Sequence, residues 1–305
     1  MKHVWLFLPL LAYTSFAQQI KTTGTHTVVP AIKGEYTISG VTPNGKELLV
    51  TQPYSNGLYL IDLKNGKTRT VTERPEAGYN PAFSSNGHFL CFRTSDYSEK
   101  KKYSTLYKIK LSSGDTTVLV RKGRNVSCPV VVGNDLVYTV DGQLKTNRLS
   151  WRLFRHSVKK PFVLTEDLTP VLWIKGKKNV LKPGGEGSYI WVSLSPDRKK
   201  LLYYQTGKGA FVCNLNGEIL ISAGDLMEPK WLNNDCIIGI GSHGNEQKST
   251  STDVMACWVK SGKRTVITNT ANVNERNPFP FSKGKKIAYR TTAGALMIAT
   301  INIDK

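Results

Sequence analysis

The residues best suited to chemistry form one recognisable pattern, the glycine spacing G-x-G-x-x-G over residues 239–244. In a dinucleotide-binding site this spacing opens a helix, because the pyrophosphate lies at the positive end of that helix. Here residues 245–252 are polar and have no apolar helical face. We therefore interpret the glycines as a loop between strands and predict no bound cofactor.

Patterns typical of nucleophiles and metal ligands are missing as well. The chain has no G-x-S-x-G turn, which serine hydrolases of the α/β class require. The histidines His26, His88, His156 and His243 form no H-x-H or H-x-x-x-H pair, so we predict no metal site. The five Cys lie in apolar stretches without a C-x-x-C spacing, as buried free thiols do. At least one is unpaired, and a disulfide between two of the others stays open, because the sequence does not indicate the pair. From this we expect no catalytic residue and no enzyme.

A repeated unit determines the fold class. Its first half is a short strand, a tight polar turn and a strongly apolar strand, over residues 39–50, 81–92 and 192–203. Its second half is another hairpin, as over residues 58–72 and 106–120. The turns are rich in Asn, Asp and Gly, which tolerate the positive φ that tight hairpin turns need.

Six such units follow one another, at about residues 35–73, 78–121, 124–183, 187–223, 226–269 and 275–305. One four-stranded unit cannot bury both of its faces, whereas radial stacking buries them all. The sequence therefore predicts an all-β fold, a six-bladed β-propeller of four-stranded blades. The last unit has three strands, so we expect the N-terminal segment 18–34, at His26–Pro30, to complete it. Residues 145–168 read as a basic and aromatic insertion in the third unit.

The repeat is similar to that of a known family. The Ser-Pro-Asp turn at 195–197, the strand Leu-Tyr-Leu-Ile-Asp-Leu at 58–63 and the Gly-Lys hairpins resemble TolB-type, WD-like propeller repeats. Such repeats form the propellers of TolB and of prolyl oligopeptidases. The resemblance covers about residues 35–305 and is strongest in the first, second and fourth units. It implies a propeller but no particular function, because one fold carries many functions.

Candidate binding residues follow from the propeller. First strands line the central channel, so residues at their starts gather at one rim, where aromatic, amide and charged groups suit a ligand. These candidates are Tyr36, Tyr79, Asn80, Tyr189, Trp191, Glu228, Arg276 and Asn277. We expect Tyr79 and Tyr189 to be exposed. Trp191, and Trp231 close to Glu228, have an alternative to ligand binding, which is packing between blades.

The first 17 residues have the layout of a secretory signal peptide. Lys2 precedes an apolar run, residues 4–13, and small residues at Ser15 and Ala17 predict cleavage after Ala17. No later apolar run is long enough to span a membrane. We therefore expect an exported protein, periplasmic or extracellular, and a monomer.

The chain is strongly basic, with 42 Lys and Arg against 22 Asp and Glu and a net charge of +20. Outside the cytoplasm the polyanions available are acidic glycans and lipid head groups, so we do not expect a nucleic-acid partner. We predict a non-catalytic binding or adaptor module for a protein or an acidic glycan. The alternative is a propeller enzyme acting on polysaccharide, a lyase or a glycosidase, with its active site at the channel mouth. A cluster of carboxylates or a His–acid group at that mouth would favour the enzyme.

Overall fold

The computed structural model describes residues 19–30, 35–149, 158–242, 251–270 and 272–303. In these ranges the chain forms 26 β-strands, which are arranged as seven separate antiparallel sheets. The prediction of an all-β propeller is confirmed. The predicted number of blades is wrong, because the structure has seven rather than six.

Strand β1 (Ile20–Val29) belongs to the last blade, and four other blades contain four strands each. Blade one comprises β2–β5, which are Thr37–Val41, Glu47–Gln52, Asn56–Asp62 and Thr68–Thr72. Blade two comprises β6–β9, which are Ala82–Phe83, Phe89–Ser98, Lys101–Lys110 and Thr116–Gly123. Blade five comprises β16–β19, which are Tyr189–Leu194, Lys200–Gln205, Gly209–Asn214 and Ile219–Gly224. Blade six comprises β20–β23, which are Met227–Trp231, Cys236–Ser242, Thr252–Trp258 and Arg264–Val266.

Blades three and four account for the error in the blade count. Residues 124–183 were expected to form one unit, but they form two three-stranded sheets. The first comprises β10–β12, which are Val130–Val132, Asp135–Val140 and Gln143–Arg148, and the second comprises β13–β15, which are Phe162–Glu166, Thr169–Ile174 and Lys177–Val180. The expected insertion at 145–168 thus supplies strands to both sheets. Strand β12 is polar except for Leu144, and none of its side chains is fully buried. It therefore lacks the alternation of apolar and polar residues that indicates a strand in sequence. Residues 150–157 of that insertion lie outside the described ranges.

Blade seven joins the two ends of the chain. Its strands β24–β26 are Glu275–Phe281, Lys286–Thr291 and Leu296–Ile303. Strand β1 pairs antiparallel with β26, from Ile20 opposite Ile303 to Val29 opposite Leu296. A closing N-terminal strand was expected, and it begins at Ile20, earlier than His26. The hydroxyl of Thr22 also donates to the Ile267 carbonyl of blade six at 2.5 Å, so β1 contacts two blades.

The hydrophobic core lies between the blades. Second strands carry consecutive apolar residues because both faces of each sheet are covered by neighbouring blades. In β3, Leu48, Leu49 and Val50 are all fully buried. Leu48 and Val50 pack with Ala288 of blade seven, whereas Leu49 packs with Phe92 of blade two. Each blade therefore needs both of its neighbours.

The cysteines behave as apolar core residues. All five are free thiols and four of them are buried. Burial raises the pKa of Cys91, Cys213 and Cys236 to about 12, so these thiols stay protonated at neutral pH. In the part of the chain that the structure describes, no helix is long and apolar enough to cross a membrane. The predicted signal peptide, residues 1–17, lies outside that part.

Candidate functional site

One face of the disc, the top face, holds the starts of the first strands and the turns between second and third strands. Backbone hydrogen bonds join these two sets of segments. The N–H of Gly78, ahead of β6, donates to the Ser55 carbonyl at 2.9 Å, and the N–H of Tyr189 donates to the Leu168 carbonyl at 2.8 Å. The eight predicted residues all lie at or just before the starts of β2, β6, β16, β20 and β24.

Four of the predicted residues share one structural position. Trp191, Glu228 and Asn277 lie at β-bulges in β16, β20 and β24, with φ of 52°, 51° and 57°. Asn80 has φ of 49° and lies just before β6. Positive φ is strained for a bulky residue such as Trp, and bulges commonly re-aim a side chain beside a functional site. Positive φ therefore recurs at the top of four first strands, and at three of them it coincides with a bulge.

The bulge residues connect neighbouring blades by hydrogen bonds. A carboxylate oxygen of Glu228 in blade six accepts from the backbone N–H of Asn277 in blade seven. The side-chain Oδ1 of Asn277 accepts from the N–H of Ile38 in blade one at 2.5 Å. Next in line, the hydroxyl of Ser39 donates to the Gly78 carbonyl ahead of blade two at 3.0 Å. These bonds satisfy backbone groups of the bulged, unevenly paired strands, so side-chain-to-backbone bonds join blades six, seven, one and two near the axis.

An exposed aromatic pair lies at the start of blade five. Trp191 is 36% exposed, and its ring meets that of Tyr204 edge-on with 5.2 Å between centroids. By contrast, Trp231 is buried and its indole N–H donates to the Ser193 carbonyl at 3.3 Å. Packing between blades therefore applies to Trp231, whereas Trp191 is partly exposed to solvent.

The structure places the predicted tyrosines differently from one another. Tyr79 is 51% exposed, as expected. Tyr189 is fully buried, so the expectation of its exposure is wrong. Residues 184–188 close over it, and its hydroxyl donates to the Gly185 carbonyl at 2.5 Å. Tyr36 is half-buried against Tyr59, with 5.9 Å between ring centroids, and it lines a shallow groove beside Val29, away from the channel mouth.

Two arginines beside the mouth were missed in the sequence. Arg93 and Arg290 are each the fifth residue of a second strand, β7 and β25. The tripeptide aromatic-Arg-Thr occurs at 92–94 and again at 289–291, and this repetition could have identified both arginines from the sequence. The guanidinium of Arg93 lies 5.9 Å from the centre of the Tyr79 ring and donates to the Val126 carbonyl at 2.5 Å.

Arg290 lies directly opposite the predicted Arg276 in the register of β24 and β25. Like charges placed directly opposite each other destabilise a sheet. In addition, Nε of Arg290 is buried and has no hydrogen-bond partner among the described residues. Paired guanidinium groups at a channel mouth are suited to a carboxylate, which they can bind through two parallel N–H···O bonds.

A lysine on the same strand as Glu228 reaches from blade six toward blade seven. The ammonium group of Lys230 lies 5.3 Å from the centre of the Phe279 ring in blade seven. Burial lowers the pKa of Lys230, and the nearby Glu228 carboxylate opposes that shift only in part. A lysine of lowered pKa is a candidate general base.

Two buried carboxylates lie behind the mouth. Glu275 and Asp253 are 0% and 1% exposed. Glu275 accepts hydrogen bonds from the N–H of Val254 at 3.0 Å and from the hydroxyls of Thr268 and Thr270. Burial raises the pKa of Glu275, and the charge of Asp253 adds to the shift. These bonds hold the segment between β23 and β24 and give the pair a structural role.

Within the described ranges, no three His, Cys, Asp or Glu side chains come together as a set of metal ligands. His243, in the glycine-rich loop, lies outside those ranges.

No family model matches the chain, and no curated protein matches it. Among solved structures, it is similar to an oligogalacturonate lyase in complex with manganese, at 14% identity and a TM-score of 0.47, over 86% of this chain and 76% of that one. It is also similar to an oligogalacturonate lyase from Vibrio parahaemolyticus, at 11% identity and a TM-score of 0.49, over 93% of this chain and 96% of that one. Likeness at this level concerns the fold alone, and kinship with TolB-type propellers stays a prediction.

These comparisons correct one expectation from the sequence. Because no catalytic motif was found, we expected that the chain is not an enzyme. Both matched propellers are enzymes, so the lack of a sequence motif does not exclude catalysis on this fold, and the expectation is withdrawn. A propeller assembles its site from distant blades, and no local motif is needed.

Proposed function

We propose that the protein binds an acidic polysaccharide across its top face and acts on it at the channel mouth. One observation carries the proposal, namely where exposed apolar side chains lie. The described residues include ten large exposed hydrophobic side chains, and six of them belong to the top face: Tyr54, Tyr79, Tyr97, Leu168, Trp191 and Met227. The other four lie on the outer strands β9, β15 and β19: Val118, Val180, Ile219 and Leu220. The concentration of exposed apolar side chains on one face favours an interaction site there.

The cations of the same face support an acidic ligand. Arg93 lies beside the exposed ring of Tyr79, and Arg276 lies opposite Arg290 at the mouth. Aromatic rings offer flat apolar surfaces to a sugar, while guanidinium groups bind its carboxylates. The net charge of +20 attracts a polyanion at long range. The predicted export would bring the protein to glycans rather than to nucleic acid.

After binding, the proposed reaction is cleavage of the polymer by β-elimination, with Lys230 as the base. A neutral amine at this position would take the C5 proton of a uronate. The electron pair forms the C4–C5 double bond as the bond from C4 to the glycosidic oxygen breaks, and that oxygen then takes up a proton. An arginine pair that binds the carboxylate stabilises the negative charge that develops during proton removal. Burial lowers the pKa of Lys230, which increases the share of free amine available to act as a base at a given pH.

The proposal is tested by comparing acidic and neutral polymers. Purified protein is titrated with polygalacturonate, alginate and neutral galactan, and ultraviolet absorbance is followed for the unsaturated product of elimination. We expect binding to an acidic polymer only, accompanied by a rise in absorbance. Binding with no rise in absorbance would contradict the cleavage step. Equal affinity for the neutral galactan, or no binding to any polymer, would contradict the proposed function.

A further inference from the structure

The hairpin formed by β7 and β8 extends beyond the other blades. Each of these strands has ten residues, whereas the second strands of blades one and five have six. Pairing continues to Ser98 opposite Lys101. Four additional residues per strand correspond to about 13 Å of extended chain. Residues 95–104, named the overhang, therefore lengthen this hairpin at the top face, and residues 96–102 within it are exposed.

One face of this hairpin leads from the mouth to its tip. Arg93 and Tyr97 share that face, because side chains alternate along a strand, and Lys102 lies directly opposite Tyr97. The Lys102 ammonium is 5.7 Å from the centre of the Tyr97 ring, and it pairs with the Glu76 carboxylate at 3.1 Å. Arg93 in turn contacts the Tyr79 ring. Aromatic and cationic groups thus form a continuous path outward from the mouth.

The tip of the overhang is open to solvent and rich in lysine. Tyr97 is 69% exposed, and Lys100, Lys101 and Lys102 are exposed as well. Positive φ at Glu99 and Lys100 gives the tight turn typical of a two-residue hairpin connection, which holds the tip in a defined shape. The acids of the overhang are Asp96 and Glu99, so cations are in excess.

The corner between the overhang and the body is electropositive. Burial by itself would raise the pKa of Glu76, yet the hydrogen bond from the Lys102 ammonium and the charges of Lys102 and Arg93 hold that pKa below its ordinary value. Nearby, the guanidinium of Arg124 lies 5.5 Å from the centre of the Tyr103 ring. A second anionic group would meet favourable charge here.

We infer that the overhang is a second subsite for an acidic polysaccharide chain whose first subsite is the channel mouth, so that long polymers rather than short oligomers are the preferred ligands. The inference rests on the proposed function. Two subsites occupied by one chain bind it more tightly than either does alone, because the second contact is intramolecular. A short oligomer that fills only the mouth gains nothing from the overhang.

The test uses a triple variant, Tyr97→Ala with Lys100→Gln and Lys101→Gln, which leaves the Lys102–Glu76 ion pair intact. Its affinity is measured for the acidic polymer that the wild type binds, polygalacturonate or alginate, and for the trimer of the same uronate. We expect polymer affinity to fall at least tenfold and trimer affinity to stay unchanged. The matched control, Lys64→Gln with Lys67→Gln, removes two lysines from the β4–β5 turn, and we expect it to leave both affinities unchanged.

The outcomes separate this inference from the proposed function. If the wild type binds neither ligand, the proposed function fails and the inference fails with it. If the wild type binds both and the triple variant equals it on polymer, only the inference is overturned. An equal loss on trimer and polymer, with an unchanged melting temperature, would also overturn it, because the overhang would then act on the mouth itself.

Discussion

Glu228 and Asn277 occupy equivalent bulges on adjacent blades, and the carboxylate of the first accepts a hydrogen bond from the backbone N–H of the second. The amide oxygen of Asn277 repeats the arrangement toward Ile38 in blade one. This relay closes the ring near its axis, between blades six, seven and one. At the periphery, β1 closes blade seven by pairing with β26. The propeller is therefore closed at two places, near its axis by side-chain hydrogen bonds and at its periphery by a paired strand.

Removing the Asn277 side chain should destabilise the protein. Asn277→Ala leaves the Ile38 N–H without its partner and places Ala at a φ of 57°. A lost bond to a partly buried donor costs about 1–3 kcal/mol. Asn277→Gly loses the same bond but tolerates positive φ, so it should be the more stable of the two variants. Urea unfolding measures both, and a wild-type midpoint for Asn277→Ala would show that the relay contributes nothing.

Trp191 should be essential for ligand binding but not for folding. Trp191→Ala removes the exposed ring that meets Tyr204, and loss of an aromatic anchor weakens binding by about 2 kcal/mol. We expect the dissociation constant for an acidic polymer to rise more than tenfold by calorimetry. Leu220→Ala is the control, because Leu220 is exposed on the outer strand β19 of the same blade, away from the top face. Equal losses in the two variants would contradict a site at the mouth.

Arg290 should select for acidic ligands. Arg290→Gln removes one of the two arginines that are paired in the register of β24 and β25, so affinity for polygalacturonate should fall about tenfold, or about 1.4 kcal/mol. Arg290→Lys keeps the charge but not the planar fork and should lie in between. The difference should shrink as salt is added. If Arg290→Gln left the affinity and its salt dependence unchanged, the arginine pair would not be part of the site.

Lys230 should affect cleavage more than binding. Lys230→Arg keeps the positive charge but cannot provide a free amine, because arginine stays protonated. We expect turnover to fall at least a hundredfold, the usual contribution of a general base, with affinity within twofold of the wild type. In the wild type, turnover should rise with pH through the lowered pKa of Lys230. Wild-type turnover in Lys230→Arg would exclude this residue as the base.

Glu275 should make stability depend on pH in a predictable direction. Burial raises its pKa above the ordinary 4.5, so the folded state holds this proton more tightly than the unfolded chain. The resulting stabilisation is complete below pH 4.5 and is lost as the pH rises through the folded pKa. Glu275→Gln has no titrating group, so the melting temperature of the wild type minus that of the variant should increase as the pH falls through this window. A constant difference would show that the carboxyl is not buried as described.

Local sequence determined the fold class of this protein. Turns such as Pro43-Asn44-Gly45 specify a hairpin by themselves, and the apolar runs that follow them specify strands covered on both faces. A unit that is one strand short at its end also indicated that the N-terminal segment closes the last blade. The number of blades was not specified in this way, because blades three and four have three strands each in the described ranges and interrupt the repeat.

Tertiary structure decided which residues meet at the mouth. The sequence placed Trp191, Glu228 and Asn277 at strand starts, but their positive φ arises from bulges, which depend on pairing with a second strand. Arg276 faces Arg290 only through the register of β24 and β25. Tyr189 is buried because the glycine-rich segment ahead of it folds back onto its hydroxyl. Strand and turn propensities act over a few residues, whereas register and contacts between blades join residues far apart in the chain, and only the closed ring brings those residues together.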